Sequence, residues 1–166
     1  MVSLGGFGHW CPGYETPEMK QRKKAGADER SVGMLLKRAE QAMLKSKTAA
    51  LKPVGLTLAQ YVALAELEQK QGIRAATLAR ACFVSPQAIM ILLKSMEQQG
   101  LITRRPHPRH PNVLELHMTD VGREALHAGR AQVAPVEESI FAAFSKQELE
   151  AFRGFLSRFV SAIDAG

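Results

Sequence analysis

The sequence predicts a mainly α fold: a winged helix-turn-helix, meaning helices with a small β-hairpin wing, plus a helical dimerisation region. Three observations carry this expectation. A short helical pattern from Thr77 to Cys82 stops at Phe83-Val84, and Ser85-Pro86 then opens a second helix that runs to Gly100. Leu101 to Arg105 and Val113 to Met118 read as two strands around a turn rich in Pro, His and Asn. Between Arg74 and Asn112, Arg74, Arg80, Lys94, Arg104, Arg105 and Arg109 face a single acid, Glu97. From Asp120 onward seven acids face five bases, so positive charge concentrates on the reading head, where phosphate neutralisation requires it.

The elements follow in order. Residues 1–30 read as an N-terminal arm: Gly5, Gly6, Gly8, Pro12, Gly13 and Pro17 punctuate Phe7, Trp10 and Tyr14, and a charged run from Lys20 to Arg30 follows. The domain is expected over 31–166. Its first helix, Ser31 to Ala50, sets Val32, Leu35, Leu36, Ala39, Met43 and Leu44 against Lys37, Arg38, Glu40 and Gln41. Pro53 and Gly55 end it. Thr57 caps the next helix, in which Tyr61, Leu64, Ala65 and Glu68 keep a 3–4 spacing, and Gly72 breaks it. In the second helix of the reading unit, the Ser85 side chain holds an orphan N–H and Pro86 loses no needed hydrogen bond.

After the hairpin, Thr119 or Asp120 caps a long helix from Val121, which Pro135 is expected to kink or split. Ser145-Lys146-Gln147-Glu148 is a capping box. The last helix carries Leu149, Phe152, Leu156, Phe159 and Ile163 at 3,4,3,4 spacing, a seam for another helix. Segment 57–119 is expected to form the winged helix-turn-helix, flanked by the helical segments 31–56 and 120–166.

The chain has 166 residues and a formal net charge of +6, which suits a polyanionic partner without naming one. No run approaches the roughly 18 apolar residues of a membrane span, and the N-terminus lacks the basic-then-apolar order of a signal peptide. Cys11 and Cys82 lie far apart and build no disulfide framework. The expectation is a soluble cytoplasmic protein without a cofactor or a metal.

On the reading helix, Ile89, Leu92, Leu93 and Met96 face inward, leaving Pro86, Gln87, Met90, Ile91 and Lys94 outward. Gln87 sits in the first turn, where an amide pairs bidentately with adenine, and Met90 and Ile91 suit thymine methyls. The plainer reading is an amphipathic helix with a wide apolar face; the hairpin and the charge asymmetry favour DNA. Within Pro106 to Asn112, Arg109 is the permanent cation and a candidate for the minor groove, and the histidines read as a solvated turn. Arg104 and Arg105 alternate across the strand, so one faces a duplex and the other is structural; Arg105 joins Arg74, Ser85 and the outward residues in the expected DNA set.

Residues 31–163 resemble the multiple antibiotic resistance regulator (MarR) family of bacterial transcription factors. Val54 to Tyr61, Thr77-Leu78-Ala79, Met96 to Arg104 and Met118 to Gly122 stand in its order and spacing. The resemblance implies a two-fold dimer whose first and last helices form the body, with winged heads on a pseudo-palindromic operator in double-stranded DNA. It also implies relief of DNA binding by a small aromatic or anionic ligand between the body and the head, with Arg38, Met43, Tyr61 and His127 as candidate lining residues. Two departures stand out. Where the family's wing carries an acid and an arginine, this chain has His110 and Asn112, and Arg74 replaces the usual Thr or Ser cap.

Other classes fare worse. The five histidines form no catalytic motif and no Gly-rich phosphate loop follows a strand, so an enzyme is not expected. Zinc-binding relatives pair histidines in the helix after the wing, but His127 has Ala131 four residues on, and His107 and His110 form an isolated H-x-x-H. Peroxide-sensing relatives use a cysteine in the first dimer helix, where this chain has none. A redox- or metal-responsive regulator of the same fold, sensing through Cys11 or the histidines, is the remaining alternative, with Cys82 expected in the core.

Overall fold

The computed structural model describes residues 17–164, with side chains from Val32 onward. The elements are α1 (Pro17–Leu51), a 3-10 turn (Lys52–Val54), α2 (Leu58–Gln69), α3 (Ala75–Ala81) and α4 (Pro86–Gln98). They continue with β1 (Ile102–His107), β2 (His110–Met118), α5 (Asp120–Phe141) and α6 (Lys146–Asp164). The chain divides into two compact units, Met1–Ala42 and Met43–Gly166. The first contributes the N-terminal part of α1, on which Val32, Met34 and Leu35 are exposed.

Two expectations about helices change. The helix expected from Ser31 begins at Pro17, so the whole charged run from Lys20 to Arg30 is helical. Its Lys, Arg, Glu, Gln and Ala residues are strong helix formers, and proline is tolerated in a first turn. α5 also runs unbroken through Pro135 to Phe141, so the chain is not split there.

The second unit is built around one core. Leu64 and Leu67 of α2, Leu78 of α3, Ile89, Leu93 and Met96 of α4, Leu116 of β2, and Leu126 and Val133 of α5 are fully buried in it. Boundaries come from local chemistry. Thr57 and Gln60 form a reciprocal capping box at the start of α2. Ser85 accepts from the Ala88 N–H at 3.1 Å, with Pro86 in the first turn of α4. Thr119, of the two expected caps, starts α5 by accepting from the Gly122 N–H at 3.0 Å. The capping box at Ser145 forms too, with Glu148 accepting from the Ser145 N–H at 2.8 Å.

The hairpin is longer than expected. β1 and β2 pair antiparallel from Ile102↔Met118 to His107↔His110, so the turn shrinks to Pro108-Arg109. Pro106 and Pro111, read as turn residues, lie within strands. A two-stranded sheet has only edges, where proline is tolerated, and the register shifts between Pro106 and His107. Backbone hydrogen bonds from Gly72 to Leu116 (3.0 Å) and from Leu116 to Ile73 (2.9 Å) fasten β2 to the α2–α3 connection. Gly72 adopts φ +75°, and a Cβ there would meet the Glu115 carboxylate at 3.3 Å.

Candidate nucleic-acid interface

α4 divides cleanly. Ile89, Leu93 and Met96 are buried and Leu92 half-buried, while Ser85, Pro86, Gln87, Met90, Ile91 and Lys94 are all exposed. Ile91 is 73% exposed, a large apolar side chain facing solvent on a helix whose other face is fully packed. Methyl and thioether groups there match the thymine methyl in a major groove, and the Gln87 amide offers a donor and an acceptor beside them.

Arg109 occupies the two-residue turn of the hairpin and is exposed. Its N–H donates to His107 Nδ1 at 3.0 Å, which ties the turn to β1. Arg74 is the N-cap of α3 and makes no side-chain capping bond, so its guanidinium is not committed to its own helix. The fold brings it to the wing: Arg74, Arg109, His110, Pro111, Asn112 and Val113 line an open pocket of about 440 Å³. Two permanent cations from distant sequence positions thus border one hollow, an arrangement that suits phosphate oxygens.

Arg104 and Arg105 separate as their alternation requires. Arg104 turns inward and pairs with Glu97 of α4 at 3.0 Å, and its buried Nε has no hydrogen-bond partner. Arg105 is exposed. The one acid of the basic stretch is therefore engaged by the structural arginine.

Several contributors were not read from the sequence. His107 was expected in a solvated turn, but it is half-buried in β1, with Nε2 at 3.7 Å from Glu115. His117 Nε2 approaches the other Glu115 oxygen at 3.5 Å. Glu115 and His117, two apart on one strand, share a face, which was the available signal. His110 stays exposed, its ring 5.1 Å from that of His107. Among the described residues no three of His, Cys, Asp and Glu are arranged to hold a metal ion. Gln60 was also missed: it is buried, and its Nε2 donates to Gln99 at 3.1 Å, while Gln99 donates to Ser95.

The other expected sites are placed as follows. Tyr61 is half-buried against the core, beside Gly129, where a Cβ would stand 2.9 Å from its ring. Met43 is 39% exposed and His127 is exposed. Arg38 is exposed in the first unit. Glu68 of α2 and Arg130 of α5 form a two-pronged ion pair that holds the Glu68 carboxyl below its usual range. Leu149 and Leu156 of α6 are half-buried, Phe152, Phe159 and Ile163 exposed, and no residue of that helix is buried. Cys82 is half-buried against the core, and burial, then the charge of Glu66, raises its thiol pKa. Cys11 lies outside the described residues.

A reading helix presented beside a basic wing defines the class: a winged helix-turn-helix DNA-binding protein. The MarR family model matches residues 54–110. The HTH-type transcriptional repressor Rv2887 of Mycobacterium tuberculosis is 30% identical over 132 residues, spanning 80% of this chain and 95% of the relative. Its structure in complex with p-aminosalicylic acid aligns with a TM-score of 0.63, covering 76% of this chain and 96% of that one. CouR from Rhodococcus jostii RHA1, bound to p-coumaroyl-CoA, aligns with a TM-score of 0.70 at 25% identity, covering 77% and 90% of the two chains. CouR bound to a 23-mer DNA duplex aligns with a TM-score of 0.71 at the same identity, covering 77% and 91%. The chain belongs to the MarR family of transcription regulators. No single helix among its described residues is long and apolar enough to cross a membrane.

Proposed function

We propose that this chain is a dimeric, sequence-specific repressor that binds a pseudo-palindromic operator and is released by a small aromatic or anionic ligand. The observation that carries the reading is α4 itself, which exposes Gln87, Met90, Ile91 and Lys94 over a fully buried opposite face. Arg74, Arg105 and Arg109 supply the phosphate and minor-groove charge around it. Two such helices enter successive major grooves, so half-sites lie about 10 bp apart.

The dimer rests on exposed apolar surface. Phe152, Phe159 and Ile163 on α6, and Val32 and Leu35 on α1, are covered by the second copy. Ligand release draws on the relatives whose structures hold p-aminosalicylic acid and p-coumaroyl-CoA. Within the second unit, His127 would meet the anionic group of such a ligand, and Tyr61 and Met43 its ring. A ligand frees DNA only by preferring a conformation in which the two reading helices no longer match the half-sites, so operator weakens ligand affinity by the same factor.

The test is capture of genomic fragments by the purified chain, with sedimentation of the free protein and its complex. Dimers that select one palindromic site support the reading; a monomer indifferent to every fragment overturns it. Calorimetry with salicylate, with and without the selected operator, tests release. Equal affinities in both titrations remove salicylate as an inducer.

A further inference from the structure

Phe83 is the one non-glycine residue at positive φ among the described residues, at φ +54°, and it is 96% exposed. Each property is unusual for a bulky aromatic: the left-handed region is where glycine or asparagine belongs, and a phenyl ring in water forfeits its burial. The backbone dictates the conformation. Cys82 and Val84 on either side pack on the core, and the Phe83 and Val84 N–H groups bond the carbonyls of Arg80 (3.2 Å) and Ala79 (3.0 Å). The turn is thus fixed by its neighbours, and Phe83 is the residue turned outward. Glycine would satisfy the turn without strain, so neither folding nor solubility accounts for a ring there. Backbone strain held at a surface points to a function.

The position identifies the occupant. Phe83 precedes the Ser85 cap by two residues, at the end of α4 that carries Gln87. Arg80, exposed in the last turn of α3, lies three residues earlier. The ring is continuous with the DNA-reading surface. We infer that Phe83 is a further DNA-contact residue, packing its ring on the deoxyribose of the strand that borders the major groove entered by α4. The contact is apolar and releases no counterions, so it adds affinity without adding salt dependence. The proposal rests on the operator-binding reading above.

Phe83→Gly, Phe83→Asn and Phe83→Tyr test it, with thermal melting and operator anisotropy at two salt concentrations. Glycine is expected to raise Tm, because it relieves the left-handed strain, yet to weaken operator binding about tenfold with the salt slope unchanged. Asparagine should behave as glycine does, and tyrosine should retain binding. Wild-type binding with undiminished Phe83→Gly affinity overturns the contact alone. A fall in Tm and affinity together in Phe83→Gly would make Phe83 a packing residue and overturn it equally. A wild-type chain that binds no fragment fails at the earlier step, on the operator itself.

Discussion

Arg104 of β1 and Glu97 of α4 meet at 3.0 Å, while the next residue, Arg105, faces solvent. Adjacent arginines in one strand thereby take different places, one pairing the wing with α4 and the other facing solvent. Arg104→Ala should lower stability by about 1 kcal/mol, since the pair is only partly buried. Arg105→Ala should leave melting unchanged and reduce the slope of log affinity against log salt by about 1. Melting curves and two-salt titrations on the same samples check the division. Equal salt slopes for wild type and Arg105→Ala would remove Arg105 from the interface.

Gln87 and Arg109 should fail differently. Gln87→Ala is expected to relax preference at one base pair, costing about 1–3 kcal/mol of discrimination, with little change on random DNA. Arg109→Ala should weaken specific and random binding alike, and the same holds for Arg74→Ala, which borders the same pocket. Anisotropy with operator, single-base variants and random duplex separates these outcomes. A uniform loss for Gln87→Ala would contradict base reading.

Among the described residues none of α6 is buried and Phe159 is exposed, so its apolar stripe can be broken there without unpacking the core. Phe159→Glu should leave the helix content intact and yield monomers with poor operator affinity, because a charge in a helix seam has no solvent to hold it. Sedimentation and circular dichroism report the two properties separately. A Phe159→Glu dimer would move the interface elsewhere.

Burial and the Glu66 charge raise the Cys82 thiol pKa, so its reactive thiolate forms only at more alkaline pH than in an unfolded chain. In a Cys11→Ser background, which leaves Cys82 as the remaining cysteine, thiol modification should be slow at neutral pH and accelerate on adding denaturant. Operator binding by that variant should withstand peroxide. Rapid labelling of the folded protein at neutral pH would return Cys82 to the list of sensing groups.

The helix-turn-helix was legible because its signals are local: the Ser85 and Thr119 side chains cap the helices that follow them, and Gly100 at positive φ ends α4, each within a few residues of the boundary it sets. The outward face of α4 followed from helical spacing alone. The existence of the wing was legible too, but its extent was not, since Pro106 and Pro111 signal a turn in most contexts, and only the lack of a third strand beside the hairpin among the described residues lets them sit in β1 and β2. Partners distant in sequence were equally hidden. Nothing local to Arg74 shows that it borders Arg109, or that Gln60 bonds Gln99, because both pairings are made by the packing of separate elements.

The polar side-chain ties from α4 to other elements sit at its far end: Gln99 to Gln60 and Glu97 to Arg104. The exposed residues Gln87 and Met90 stand at the opposite end, and a helix of this length spans roughly 20 Å. The polar anchor of α4 thus lies beside the N-terminus of α2, while Ile89, Leu93 and Met96 pack the helix on the core. A rotation of about 5° at Gln99 would sweep Gln87 through roughly 2 Å, enough to undo a bidentate bond to a base. A change at the Thr57–Gln60 capping box would therefore reach the exposed end of α4 through the Gln60–Gln99 hydrogen bond.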